Sequence, residues 1–348
     1  MTELPDLAPY ALAQREKEAL LLPGLNALTA LHRERCAPYG RFVAGAALPF
    51  ARLEDAPYLP VTMFKAYELR SVADDELARV VLSSATTSGV SSRIYVDKDT
   101  ADLQRISVHR ILADFLGPEP RPYVVFDDRK TAAGRGSLSA RGAALMALMP
   151  HASKFFFVMK DEGGHLGLDR PRLEQALDHA AGAGAVLAYG FTTILYAAHR
   201  ELADEGLSLG RGFDPARSFI LHSGGWKRLQ AQAVDKPTLG RLVGGVWGLP
   251  PANVVDFYGL AEHVGVIYPD CPYGRKHVPF FAEVIVRDPA TLAPAERGRP
   301  GLLQLLSLLG RGGPSHSIIT EDLARIVAED DCPCGRKGKA FELLGRAA

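Results

Sequence analysis

The strongest chemical signal in this sequence is the run Asp256-Phe257-Tyr258-Gly259-Leu260-Ala261-Glu262, which directly follows Val254 and Val255. An apolar pair that ends at an aromatic residue, a glycine and then a carboxylate predicts a buried strand that stops and turns. A flat ring and an anionic oxygen then stand at the C-terminal end of a strand. Open α/β sheets bind ligands at such ends, and a tyrosine face beside a Mg²⁺-ready glutamate suits an adenine nucleotide. An ordinary strand exit with a surface glutamate fits the same residues.

Further candidates lie upstream. Ser83 to Ile94 holds seven hydroxyl side chains, one glycine and Arg93. Hydroxyls, backbone N–H groups and an arginine can wrap a polyphosphate, although the Gly-Lys-Ser/Thr of a Walker loop is missing; a solvated serine-rich loop is the other reading. Gly190-Phe191-Thr192-Thr193 can line an acyl or aryl pocket or cap a helix over a core phenylalanine. In His222-Ser223-Gly224-Gly225-Trp226-Lys227 the paired glycines let backbone approach a flat ligand. Thr320-Glu321-Asp322-Leu323 precedes a short strand, and an aspartate at a strand entrance suits two ribose hydroxyls or a plain turn. Cys36, with no motif around it, reads as a buried thiol.

These groups need a scaffold, and the pattern between them supplies one. Arg79 to Leu82 reads as a strand that leads into the serine-rich loop, and in the middle of the chain Tyr123 to Phe126, Lys154 to Met159, Gly184 to Tyr189 and Ser218 to Leu221 are short apolar or β-rich runs. Helical patterns separate them, one with Pro171 near its start and Leu173, Ala176, Leu177 and Ala180 on one face. Such alternation predicts helix-covered parallel sheets. Near the N-terminus, Pro23 and Gly24 interrupt Glu16 to Leu31, which predicts two short helices. The 348 residues, 47% of them hydrophobic, suffice for a large core. Forty basic residues balance forty acidic ones, so net charge gives no reason to expect a nucleic-acid partner. The absence of an apolar run of membrane-span length or a signal core leads to the expectation of a cytoplasmic protein without a membrane span.

The order of serine/threonine loop, Gly-Gly turn, Tyr-Gly-x-x-Glu, Thr-Glu-Asp and Gly-Arg resembles the adenylate-forming superfamily. Within it, His222 to Lys227 and His316 to Leu323 resemble the acyl-protein synthetases of bacterial bioluminescence fatty-acid reductase systems, with phenylacetate-CoA ligases as more distant relatives. The resemblance runs from about Leu82 to Arg346. It implies ATP-dependent activation of a fatty or aryl acid as an acyl-adenylate, with release of pyrophosphate. It places Ser84, Thr86, Thr87, Ser88 and Arg93 on the triphosphate, Gly224 and Gly225 beside adenine, Tyr258 stacked on it with Gly259 next in the turn, and Glu262 on Mg²⁺. Asp322 and Arg346 take the ribose, while Gly190, Phe191, His222 and Trp226 are candidates for the acid. Ala85 stands where a glycine is usual, Ala261 where a threonine is usual, and Arg93 where a lysine is common.

Cys271 and His277 are spaced C-x5-H, and Cys332 and Cys334 follow as C-x-C. Three thiolates and one imidazole match a closed, structural Zn²⁺ site, as in some phenylacetate-CoA ligase relatives; reduced cysteines in a loop pair are the alternative. The expected α/β architecture is an adenylate-forming N-terminal domain with helix-covered sheets and no separate C-terminal domain. Residues 1–80 form a helical and extended segment packed on it, 81–268 the nucleotide- and acyl-binding core, and 269–348 a smaller β-rich segment with the zinc site. That last segment ends where the relatives continue to a cysteine that carries the acyl group or to a mobile domain. The second half-reaction then needs a thiol acceptor: a carrier protein, a reductase or CoA. The competing expectation is a degenerate binding or scaffold protein of the same fold.

Overall fold

The computed structural model describes residues 4–83, 91–132 and 137–347. The chain forms two compact units, each built from non-consecutive stretches: Met1–Ile111, Arg135–Ala143 and Gly259–Ala348 make one, Leu112–Gly134 and Ala144–Tyr258 the other.

The second unit carries five parallel strands, neighbours in the order Val254–Tyr258, Phe219–Ser223, Leu187–Phe191, Arg121–Val125 and Ala152–Phe157. The three central strands coincide with predicted runs because their middle residues are apolar and buried, as helix-covered strands must be, while Asp256 and Lys154 interrupt the two outer ones. Helices Arg170–Ala183, Thr192–Asp204 and Lys236–Trp247 bury Leu173, Ala176, Leu177, Leu195, Val243 and Trp247 in one core with Val124, Ala188 and Ile220. Helix Arg170–Ala183 starts where expected: the Asp169 side chain accepts from the Arg172 N–H and a proline fills the first turn.

In the first unit, antiparallel strands Ala282–Arg287, Gly301–Ser307, Ser317–Glu329, Lys339–Arg346 and Lys276–His277 neighbour one another in that order, and Leu59–Pro60 pairs parallel with Ser317–Glu329. A smaller sheet joins Arg93–Asp97, Leu77–Leu82 and Ser137–Ser139. Where two short N-terminal helices are expected, one helix runs from Gln14 to Arg35 through Pro23. Packing overrides the missing proline donor: Leu21 and Leu25 are fully buried against Phe50, Leu53, Leu306 and Leu308. At the start of this helix sits a buried ion cluster. The fully buried Glu283 carboxylate accepts from Gln14 Nε2 at 2.5 Å and pairs with Lys17 at 3.3 Å and Lys339 at 3.8 Å. Burial opposes its charge, but the two lysines outweigh that and hold the carboxyl below the ordinary range.

Replacing Pro23 by alanine restores a backbone donor inside a continuous helix and is expected to raise stability by about 1–3 kcal/mol. Urea denaturation measures this; unchanged or lower stability would argue for a break at that position.

Candidate functional site

The sequence candidates fall into three groups. In the second unit, Gly190 and Phe191 end one strand, and His222 and Ser223 are the last residues of its neighbour, paired in register as His222 with Gly190 and Ser223 with Phe191. His222 and Ser223 thus lie inside the strand, and only Gly224 onward leaves it. The Thr192 hydroxyl donates to the Ser223 carbonyl at 3.0 Å and lies 3.0 Å from His222 Nδ1. Its proton is therefore committed, and it accepts from His222, which places the imidazole proton on Nδ1. Asp256 stands 3.7 Å from the same nitrogen and 3.0 Å from Lys236 Nζ. The sequence offered Thr192 as a pocket-lining hydroxyl or a helix cap and gave no role to Asp256 or Lys236; only the fold brings the three together beside His222.

The glycines of this group have different tasks. A Cβ on Gly224, whose φ is +88°, would fall 2.4 Å from the Phe191 ring, so Gly224 makes room for that ring. Gly225 meets nothing within 4 Å and leaves an open backbone face. A Cβ on Gly190 would meet Leu195 at 2.9 Å and Phe126 at 3.0 Å, a packing constraint. Trp226 is half-buried, edge-on to Tyr196 with ring centroids 5.0 Å apart, and Tyr258 closes its strand in a buried position.

The second group belongs to the first unit. Glu262 sits in the turn after Gly259 and is only 7% exposed. Among the described residues no hydrogen bond or ion pair reaches its carboxylate. A nearly buried carboxylate without a protein cation is costly, and its chemistry fits a hard cation such as Mg²⁺. Asp322 lies in the middle of the 13-residue strand Ser317–Glu329 and not at a strand entrance. The two-residue reach of the Thr320 hydroxyl to the Asp322 N–H mimics a turn without ending the strand. Asp322 and Arg346 are cross-strand partners, Nε to Oδ1 3.7 Å, while Arg346 also reaches Glu321 at 3.4 Å. Arg93 opens an exposed strand end paired with Leu82, and below it Ser92 N donates to Ser83 Oγ. Ser84, Thr86, Thr87 and Ser88, with Ala85, lie outside the described residues.

The third group is the cysteine set. The ligand atoms of Cys271, His277, Cys332 and Cys334 all lie within 4.8 Å of one another. A tetrahedral zinc with bonds of about 2.0–2.3 Å separates its donors by about 3.5 Å, so a small contraction closes the set. Burial pushes the His277 pKa down to about 4, so the imidazole is a neutral ligand at neutral pH. Its Nδ1 is buried with no hydrogen-bond partner among the described residues, and Nε2 lies 3.2 Å from Cys334 Sγ. Burial pushes the Cys271 thiol up to about 11. For Cys334 burial acts the same way but is outweighed, first by the Arg336 backbone N–H, and the thiol lies below its ordinary range. Both turns share one pattern, Cys271-Pro272-Tyr273-Gly274 and Cys332-Pro333-Cys334-Gly335. In each, the glycine has φ of +68° or +86° and donates to the carbonyl of the first cysteine. The repeated Cys-Pro-x-Gly was a readable signal that the spacing count passed over. Cys36, by contrast, is buried and its thiol pushed up by burial, as a core thiol should be.

The solved structure of a 2-hydroxyisobutyryl-CoA ligase in complex with 2-HIB-AMP and CoA is similar to this chain with a TM-score of 0.70 at 17% identity, covering 99% of this chain and 79% of that one. ATP-bound MatB from Rhodopseudomonas palustris is similar at a TM-score of 0.50 and 18% identity, covering 88% of this chain and 52% of that one. The fold is thus that of the N-terminal domain of adenylate-forming ligases. The family described as "Acyl-protein synthetase, LuxE" matches residues 4–348, and this chain belongs to it. Two ligases for a long-chain fatty acid and luciferin component agree. The one from Vibrio harveyi is 24% identical over 305 residues, 84% of this chain and 74% of its own; the one from Aliivibrio fischeri is 30% identical over 131 residues, 37% of this chain and 34% of its own. The chain is therefore an adenylating enzyme of the acid–thiol ligase type. Among the described residues no helix is long and apolar enough to cross a membrane.

Two outcomes are expected. Gly224→Ala should cost about 2 kcal/mol or more, from its positive φ and the overlap with Phe191, and Gly225→Ala distinctly less; paired thermal melts measure the difference. Purified protein should carry close to one zinc per chain by elemental analysis. Cys332→Ser should lose it, and chelation should lower the melting temperature.

Proposed function

We propose that the enzyme activates a carboxylic acid, with a long-chain fatty acid as the favoured class, by forming an acyl-adenylate from ATP and then passing the acyl group to a thiol on a partner protein or CoA. The fatty-acid assignment follows the names of the two relatives. The single observation that supports the site best is Glu262: a nearly buried carboxylate, without a protein cation among the described residues, inside the Tyr-Gly-x-x-Glu of a family member.

In the first step a carboxylate oxygen attacks the α-phosphorus and the bond to pyrophosphate breaks. No side-chain nucleophile is needed; the protein must position two anions and balance the charge of the leaving group. In this reading Glu262 holds Mg²⁺, which when bound neutralises charge on the phosphates. Tyr258 and the open face of Gly225 take the adenine, Asp322 accepts from ribose hydroxyls with Arg346 steadying it across the strand pair, and Arg93 serves the triphosphate with Ser84, Thr86, Thr87 and Ser88. His222, held by Thr192 in one tautomer, and Phe191 face the acid. The cysteine set fits a structural zinc with all four positions taken by protein, so it braces the fold without entering the chemistry.

The second reading is a protein that binds nucleotide and acid without turnover. Ala261 favours it, since a hydroxyl usual at that position is missing.

Acid-dependent exchange of labelled pyrophosphate into ATP, across short, long and aromatic acids, decides between them. Exchange with a long-chain acid supports the first reading, and none with any acid, in folded and metal-loaded protein, supports the second. Glu262→Ala should lower exchange by about 10²-fold or more, and Asp322→Ala should raise the KM for ATP about tenfold. Variants that both exchange like the wild type would reject the site.

A further inference from the structure

The loop that carries Glu262 has little backbone order of its own. The His263 N–H donates to the Leu260 carbonyl at 3.1 Å and the Val266 N–H to the His263 carbonyl at 3.4 Å, and neither is a ladder bond. Among the described residues two side-chain hydrogen bonds hold it. Ser107 Oγ donates to the Gly265 carbonyl at 2.6 Å. On the other side His263 is 1% exposed, and its Nε2 lies 2.9 Å from the hydroxyl of fully buried Tyr268. Their rings are parallel to within 7° at a centroid separation of 5.9 Å.

Tyr268 is itself held firmly. Its ring meets Phe341 edge-on at 5.2 Å, and its carbonyl accepts from buried Lys276 Nζ at 3.4 Å. Lys276 also pairs with Asp270 at 2.9 Å, and it immediately precedes His277. Cys271 follows Tyr268 by three residues. An unbroken series of contacts therefore runs from the residue next to Glu262 to the hairpin that holds Cys271 and His277, all within the first unit.

We propose that His263 is a positioning residue for Glu262, and that its hydrogen bond to Tyr268 ties the magnesium-binding carboxylate to the Cys271–His277 hairpin. This rests on the reading of Glu262 given above. Burial pushes the His263 pKa down to about 3 and raises the Tyr268 phenol well above its usual value, so the pair is neutral at working pH and contributes direction, not charge. An apolar pair would fill the same volume without desolvating two polar groups, so stability alone does not account for a hydrogen-bonded pair there. Direction is what a metal-binding carboxylate needs, because misplacement by about 1 Å can cost about 10²-fold in rate.

The test uses the full-length, zinc-loaded protein. Tyr268→Phe removes one hydroxyl, and the double variant His263→Phe/Tyr268→Phe keeps apolar packing without the bond. Melting temperature and zinc content establish that the fold is kept, and whichever variant keeps it carries the test. The readouts are the Mg²⁺ dependence of acid-driven pyrophosphate exchange and the affinity of Mn²⁺ with ATP, followed by electron paramagnetic resonance. The expected result is a need for about five- to tenfold more Mg²⁺ and a matching loss of Mn²⁺ affinity. The shift should vanish in a Glu262→Ala background, as it must if the pair acts through Glu262. His263→Gln, which keeps a hydrogen-bonding group, should recover part of the loss. Wild-type metal dependence in the variants, or an undiminished shift without Glu262, overturns the proposal. If the wild type exchanges with no acid, the functional reading fails by itself, and Mn²⁺ affinity alone then decides for or against the His263–Tyr268 tie.

Discussion

The fully buried carboxylate of Glu283 is the constraint on which the first unit depends. An unpaired charge there would cost several kcal/mol, so Lys17, Lys339 and Gln14 must arrive together. They come from two elements: Lys17 and Gln14 from the first turn of the N-terminal helix, and Lys339 from the start of the strand Lys339–Arg346. The loop leading to Lys339 is tied to the helix start as well, because Asp330 accepts from both the Gln14 and Gly338 N–H groups. That loop carries Cys332 and Cys334, so the ion cluster and the cysteine set fix the same segment from its two sides. Tyr10 completes the arrangement, edge-on to His277 with centroids 6.0 Å apart.

Much of the fold was legible because parallel strands buried on both faces must read as apolar runs, and their separating helices as periodic ones. The runs ending at Phe126, Tyr189, Leu221 and Tyr258 needed no tertiary information. Pro23 misled because local propensity is a weak term beside two leucines buried in the core cluster. Asp322 misled because Thr320 and Asp322 make a turn-like hydrogen bond that a long, paired strand absorbs.

The candidate sites were legible in residue type and only partly in role. Spacing alone grouped the four residues of the cysteine set, and the fold brings their ligand atoms within 4.8 Å of one another. The Gly224-Gly225 pair looked alike in sequence but separates in space, one glycine serving Phe191 and the other left open. His263, Tyr268 and Lys236 were invisible because what marks them is their neighbours, and a neighbour is a property of register and packing rather than of a motif.

The interleaved course of the chain has a consequence for biosynthesis. The N-terminal helix emerges from the ribosome with Leu21 and Leu25 already on one face, yet Glu283, the partner of Gln14, lies 269 residues later. At about 5–20 residues per second the helix waits roughly 15–50 s for the strands that cover it, while the last residue of the second unit, Tyr258, precedes Glu283 by about 1–5 s. During that interval its apolar face is open to aggregation or to a holding chaperone. Closure comes with the same late segment that brings Cys332 and Cys334, so the helix is covered and the cysteine set is assembled in one folding event.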